Sequence, residues 1–279
     1  MSERVSIDIR DGVADVRLNR PDKMNALDDA MFRGIIEAGE RLAGEKSVRA
    51  VVLSGDGRAF CAGLDFSSFS AMAGGTKSDA PTQQSDSGDR AARGLLAPTN
   101  SAGNRAQHTC WVWQEIPVPV IAAVHGVAYG GGLQLCLGAD IRIVAPDARL
   151  SVREIHWGLI PDMAGTQTLR NLVRLDVAKE LAFTGRIVSG AEAVELGLAT
   201  QISDSPLEAA LELAREIAGR SPHAVRATKR LFNETRQGSV EEGFALEAEL
   251  QTSLIGRPNQ IEAIQANLQK RQPDFSDPD

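Results

Sequence analysis

The chain has 279 residues, 43% hydrophobic and 24% charged, with a formal net charge of −7 and a pI near 5.3. That length allows one large domain or two smaller ones with a substantial core, and the acidic balance argues against a nucleic-acid surface. Three widely spaced cysteines, four histidines without HExxH-like spacing, no apolar signal core and no run near 18 apolar residues argue against a disulfide framework, a metal site and a membrane span, and favour a cytoplasmic protein.

Val5, Ile7 and Ile9, then Ala14, Val16 and Leu18, alternate with polar residues around Asp11–Gly12, which predicts a β-hairpin. Asn19 to Leu27, NRPDKMNAL, is a polar loop. Asp28 or Asp29 can cap a helix to about Ala43, whose Met31, Ile35, Ala38 and Leu42 recur at helical spacing. Val48 to Leu53 is a buried-type strand ended by Ser54–Gly57. Residues 67–104 are rich in Gly, Ser, Asp, Thr and Ala, and are expected to form a surface excursion with one or two short helices. A helix from His108 to Glu115 and a strand from Val118 to Val124 follow. After Gly130, Gly131 and Gly132, Leu133, Leu135 and Leu137 point to another helix. Strands are expected at 141–145 and 149–152, then a helix from Met163 to about Leu175. Helices follow at about 176–184, 190–196, 206–219, 222–236, 239–255 and 259–270, with a short strand near 199–202 and a loose tail from 271. The order implies an α/β core over 1–200, carrying an excursion at about 67–108, and a helical region over 201–279.

Three stretches invite chemistry. The glycine triplet leads a strand into a helix, where bare N–H groups and the helix dipole suit a carbonyl oxygen becoming an oxyanion. A Gly-rich turn before a core helix reads equally well. In RAFCAGLDF, Arg58 to Phe66, the turn Cys61-Ala62-Gly63 also lets backbone approach a ligand, or is a simple strand-to-helix turn. In Glu154 to Leu169, EIHWGLIPDMAGTQTL, Asp162 follows Pro161 and can N-cap the next helix.

With these stretches in register, the sequence resembles the crotonase, or enoyl-CoA hydratase/isomerase, superfamily. The matching strings are NRPDKMNAL, AFCAGLDF (59–66), PVIAAVHGVAYGGG (119–132), ADIRI (139–143) and GLIPDMAGTQTL (158–169), in the family's order and spacing. The resemblance implies a crotonase-like spiral of ββα units with a helical C-terminal region that assembles trimers or hexamers. It implies acyl-coenzyme A substrates, as in fatty-acid β-oxidation, and no cofactor or metal beyond the coenzyme A moiety itself. The oxyanion hole would come from the N–H groups of Leu64 and Gly131. Lys23, backbone around Ala62, and Lys270 would meet coenzyme A, Lys270 in a neighbouring subunit's site. Either lysine reads equally as a surface charge. Phe66, Phe69, Trp157 and Met163 would line the acyl pocket, or belong to the core.

The acid–base groups depart from the family's hydratases. Those carry a glutamate two residues after the triplet, where this chain has Gln134, and a second at the position of Glu154, which is retained. Hydration uses a base for water and an acid for the α carbon. Gln134 can orient a water but cannot take its proton. Asp162 matches an aspartate of dienoyl-CoA isomerases, although those enzymes usually carry Asp at the position of Gln134. Glu154 with Asp162 would suffice to move a double bond. The favoured expectation is therefore an enoyl- or dienoyl-CoA isomerase. The alternatives are a hydratase in which Asp162 replaces the missing glutamate, and a non-catalytic acyl-CoA binder.

Overall fold

The computed structural model describes residues 4–65 and 96–278. The expected hairpin forms from β1 (Val5–Arg10) and β2 (Val13–Leu18), antiparallel with Arg10 opposite Val13. Its turn residues Asp11 and Gly12 both have positive φ, which matches the strand twist. From β2 onward the pairing is parallel, to β3 (Ala50–Gly55), β4 (Val120–Val124), β6 (Ile141–Val144) and β9 (Gln201–Ile202). The six strands lie in the order β1-β2-β3-β4-β6-β9. A second sheet holds β5 (Val127–Tyr129), β7 (Arg149–Ser151) and β8 (Val188–Ser189) in the order β5-β7-β8.

Alternation sorts each strand's side chains onto two apolar faces. Val16, Val51, Leu53, Ala122 and Val124 face one core with α1 (Asp29–Ala43), α2 (Arg105–Glu115) and α3 (Gly131–Leu137). The helices α4 (Gly165–Leu172), α5 (Leu175–Thr184) and α6 (Gly190–Leu196) follow. Val13, Ala50, Val52, Ile121, Ala123 and Ile143 face the other side, covered by α7 (Pro206–Ala218). Its Ala210, Ala214 and Ala218, four residues apart, present a row of small side chains to the sheet. Then come α8 (Pro222–Thr235), α9 (Val240–Leu254) and α10 (Pro258–Gln269). This is the expected α/β core with a helical C-terminal region.

Several boundaries differ from the sequence reading. Helix α2 starts at Arg105 rather than His108, because Asn104 and Gln107 form a reciprocal capping box. The helix expected over 163–175 begins only at Gly165 and ends at Leu172, with Val173 extended. Asp162 is not its cap. The tail beyond 270 is not loose: Arg271 forks onto Glu262, Asp274 N–H donates to Glu262, Ser276 bonds Asn259, and Arg49 holds Asp277 and the Phe275 carbonyl. Most of the 67–108 excursion, together with Phe66 and Phe69, lies outside the described residues.

Candidate active site

Two isolated bridges assemble the site. Cys61 pairs in parallel with Ala128, through Cys61 N–H to Val127 O (3.0 Å) and Tyr129 N–H to Cys61 O (3.1 Å). Leu64 pairs with Leu27, through Leu27 N–H to Gly63 O (2.8 Å) and Asp65 N–H to Leu27 O (3.1 Å). Segment 61–65 thus runs between the 19–27 loop and β5. A trans peptide carries its C=O and N–H on opposite sides, and the described peptides are all trans. Holding Gly63 O toward Leu27 therefore turns the Leu64 N–H away, to the side of β5 and its continuation Gly130–Gly131.

Gly63 has φ of 87°, and a Cβ there would lie 2.5 Å from Tyr129 O and 3.6 Å from Gly131 N. Only glycine allows so close an approach. Gly131 is the first residue of α3, so its N–H has no intrahelical acceptor. The segment carrying Leu64 is thus brought against the Gly131 amide nitrogen, 67 positions beyond Leu64 in sequence. Met163 lies against the same glycine, since a Cβ on Gly131 would lie 2.7 Å from its Sδ.

Glu154 opens a 3-10 turn, Glu154–Trp157, just after β7, and is 8% exposed. It lies against the triplet: a Cβ on Gly130 would be 3.3 Å from Glu154 Oε1. That oxygen accepts from Gln134 Nε2 at 2.5 Å, while the buried Oε2 has no hydrogen-bond partner. The Gln134 amide oxygen accepts from Met163 N–H (2.8 Å) and Gly165 N–H (2.9 Å). Its two lone pairs are therefore occupied, so any water that Gln134 orients would be held by its remaining amide N–H. That engagement also explains why Asp162 is not a cap: a side chain from α3 satisfies the start of α4 instead.

Burial pushes the Glu154 carboxyl above the ordinary glutamate range. The Gln134 hydrogen bond works against that shift, and the charge of Asp162 adds to it. Burial likewise raises Asp162. Two carboxyls with raised affinity for protons thus sit within electrostatic reach of each other. The thiols are unsuited to chemistry: burial pushes Cys61 and Cys136 up to about 12, and Cys110 well above its usual value. Among the described residues no group of three His, Cys, Asp or Glu could hold a metal ion.

The other expected residues are more dispersed. Lys23 ends an exposed 3-10 turn, Pro21–Lys23. Ala62 is half-buried and spends its N–H on Met24 O (2.9 Å). Lys270 is exposed at the left-handed C-cap of α10. Trp157 is 46% exposed beside Glu154, while Met163 is buried over Gly131. The sequence reading assigned nothing to Arg20, Asn25 and Asp65. Asn25 is fully buried at φ 55°, and its amide nitrogen lies within 3.2 Å of the Asp56, Ala59 and Phe60 carbonyls. Its signal was an Asn in a polar loop, a residue type that tolerates left-handed backbone.

Comparison with known proteins agrees with this architecture. The family model described as Enoyl-CoA hydratase/isomerase matches residues 13–213. The chain is 33% identical over 263 residues to the mitochondrial Delta(3,5)-Delta(2,4)-dienoyl-CoA isomerase of Mus musculus, covering 93% of this chain and 77% of that one. It is 32% identical to the 2,3-dehydroadipyl-CoA hydratase of Escherichia coli, covering 92% of each. The crystal structure of an enoyl-CoA hydratase from Bacillus anthracis superposes with a TM-score of 0.84 at 31% identity, over 98% of both chains. With the family model matching residues 13–213 and relatives above 30% identical over more than 90% of its length, the chain belongs to the enoyl-CoA hydratase/isomerase, or crotonase, family.

Proposed function

We propose that this enzyme moves a double bond in an enoyl- or dienoyl-CoA thioester. The observation that carries the reading is the Gln134 amide. Its oxygen is fully engaged by Met163 and Gly165 N–H groups, and its nitrogen donates to Glu154. The position that would supply a second hydratase carboxylate therefore supplies neither a base nor a free acceptor for water. What is left is Glu154, with Oε2 unpartnered, and Asp162.

The chemistry is a proton relocation. Ionised Glu154 takes a proton from a carbon beside the unsaturation, and the C–H electron pair spreads into a dienolate ending on the thioester oxygen. Leu64 and Gly131 N–H groups would stabilise that charge, each such donor being worth about 3 kcal/mol. Glu154 then returns the proton at the far end of the conjugated system, or a protonated Asp162 delivers its own there and regains a proton from Glu154, so no water enters the product. Lys23, Ala62 and Lys270 are the proposed coenzyme A contacts. Buried Met163 and the half-exposed Trp157 are proposed acyl-pocket walls. Sequence similarity to a dienoyl-CoA isomerase supports the reading; similarity to a hydratase makes Asp162-assisted hydration the rival.

A 3-enoyl-CoA, a 3,5-dienoyl-CoA and a 2-enoyl-CoA should be assayed side by side. Isomerisation of either of the first two should exceed hydration of the third by about 100-fold, and Glu154→Gln should lower it by about 10²- to 10⁴-fold. Rapid hydration by the wild type without isomerisation would sink the proposal in favour of the hydratase. Binding of all three without turnover would leave an acyl-CoA binder.

A further inference from the structure

Leu64 is held where it is by little regular structure. Segment 61–65 meets its neighbours through isolated bridges, not ladders. Gly63, just before Leu64, has the freest backbone type. The Leu27 bridge gives the Leu64 N–H its direction, and a contact that holds the bridge together would hold that direction.

Arg20 spans the bridge that does this. Its Nη1 donates to the carbonyl of Ala26 (3.0 Å), the residue before Leu27, and to Oδ2 of Asp65 (2.5 Å), the residue after Leu64. One guanidinium nitrogen thereby staples both sides of the Leu27–Leu64 pair. Arg20 is itself fixed, since its N–H donates to Asn25 Oδ1 (2.8 Å) and Asp28 lies 3.5 Å from Nη1. Asp28 in turn caps α1 through Met31 N–H and pairs with Arg4 at 2.8 Å. The Arg20 and Asp65 side chains are only 12% and 11% exposed. Desolvation makes such buried pairs poor net stabilisers, and a use they can serve instead is to define geometry.

We propose that Arg20 is a positioning residue which, through Asp65, sets the direction of the Leu64 N–H toward the thioester oxygen. The inference rests on the oxyanion role given to Leu64 and Gly131 above. It assigns Arg20 and Asp65 no contact with substrate. A small tilt of the Gly63–Leu64 peptide suffices to weaken the donor, because misplacement by about 1 Å can cost about 100-fold in rate.

The test reads the thioester carbonyl directly. A saturated acyl-CoA labelled with ¹³C at the carbonyl binds without reacting, and isotope-edited infrared spectroscopy reports how strongly that carbonyl is polarised. Wild type should shift the band to lower frequency on binding. Asp65→Asn and Arg20→Lys should lose most of that shift and lower kcat about 10- to 100-fold, with KM changed no more than about threefold. Asp8→Asn, which breaks the exposed Arg10–Asp8 pair, should change neither. Because a single substitution unbalances the buried pair, the double variant Arg20→Met/Asp65→Leu removes both of its charges. It should fold with a Tm near wild type and still lose the shift. A folded double variant with the full wild-type shift and kcat would overturn the role of Arg20. No shift in the wild type would instead overturn the oxyanion reading itself, and this inference with it.

Discussion

At the residue scale, burial destabilises the ionised form of Glu154 that the proposed base role needs. Burial raises its proton affinity above the ordinary glutamate value of 4.5. As a base it must be ionised, so kcat/KM should rise with pH through an inflection above that value. The same shift has a stability consequence. Native Glu154 holds its proton more tightly than the unfolded chain, so its contribution is fully present below the unfolded value. It is lost as pH climbs from 4.5 to the raised native value. Glu154→Gln removes that loss, and its amide oxygen can still accept from Gln134. Thermal unfolding should therefore show a higher Tm for Glu154→Gln than for wild type at pH 7, with the gap closing near pH 4. Gln134→Glu acts oppositely: it places a second carboxyl 2.5 Å from Glu154 Oε1, and two carboxyls that close must share a proton. The acid limb of the pH–rate profile should move to higher pH. A limb unchanged from wild type would mean that position 134 does not face Glu154.

At the element scale, one lysine ties the helical region to the sheet. Lys229 on α8 is buried, and its ammonium donates to Trp113 O (2.9 Å) and Val118 O (2.9 Å) and pairs with Asp140 (2.8 Å). Asp140 also accepts from Val120 N–H at the start of β4. Burial lowers the Lys229 pKa and the charge of Asp140 opposes that shift. Lys229→Ala leaves a carboxylate and two carbonyls short of a donor, and urea unfolding should show a loss of about 3–5 kcal/mol. The tail provides a second tie. Arg271 draws the Glu262 carboxyl down to about 2, and Arg49 bridges the tail back to the Ala218 carbonyl at the end of α7. Deleting 272–279 should speed hydrogen exchange in α10 while leaving the β3 amides protected.

At the scale of the whole molecule, large apolar residues stay exposed on four of the helices: Phe183, Phe232, Phe244 and Leu268 are each more than 60% exposed. Side chains of this kind would be covered if the chain assembled into the trimers or hexamers that the family resemblance implies. Light scattering should therefore give three or six times the 29.8 kDa subunit mass, and Phe244→Asp should shift that mass downward. Among the described residues no helix is long and apolar enough to cross a membrane.

The sequence by itself determined the elements and the kind of chemistry. Alternation in 5–18, the Met31–Leu42 spacing and the glycine triplet are local patterns, and backbone sterics read them the same way in any fold. The retained Glu154 and the altered Gln134 were equally visible. What only the tertiary structure decided was which groups meet. That segment 61–65 lies against Gly131 depends on two isolated bridges between distant segments. That Gln134 spends its oxygen on Met163 and Gly165, displacing Asp162 as a cap, depends on α3 packing against the start of α4. Arg20 stapling Ala26 to Asp65 follows from the same long-range register. Such contacts are fixed by the packing of the sheet and helices, to which local residue spacing is blind.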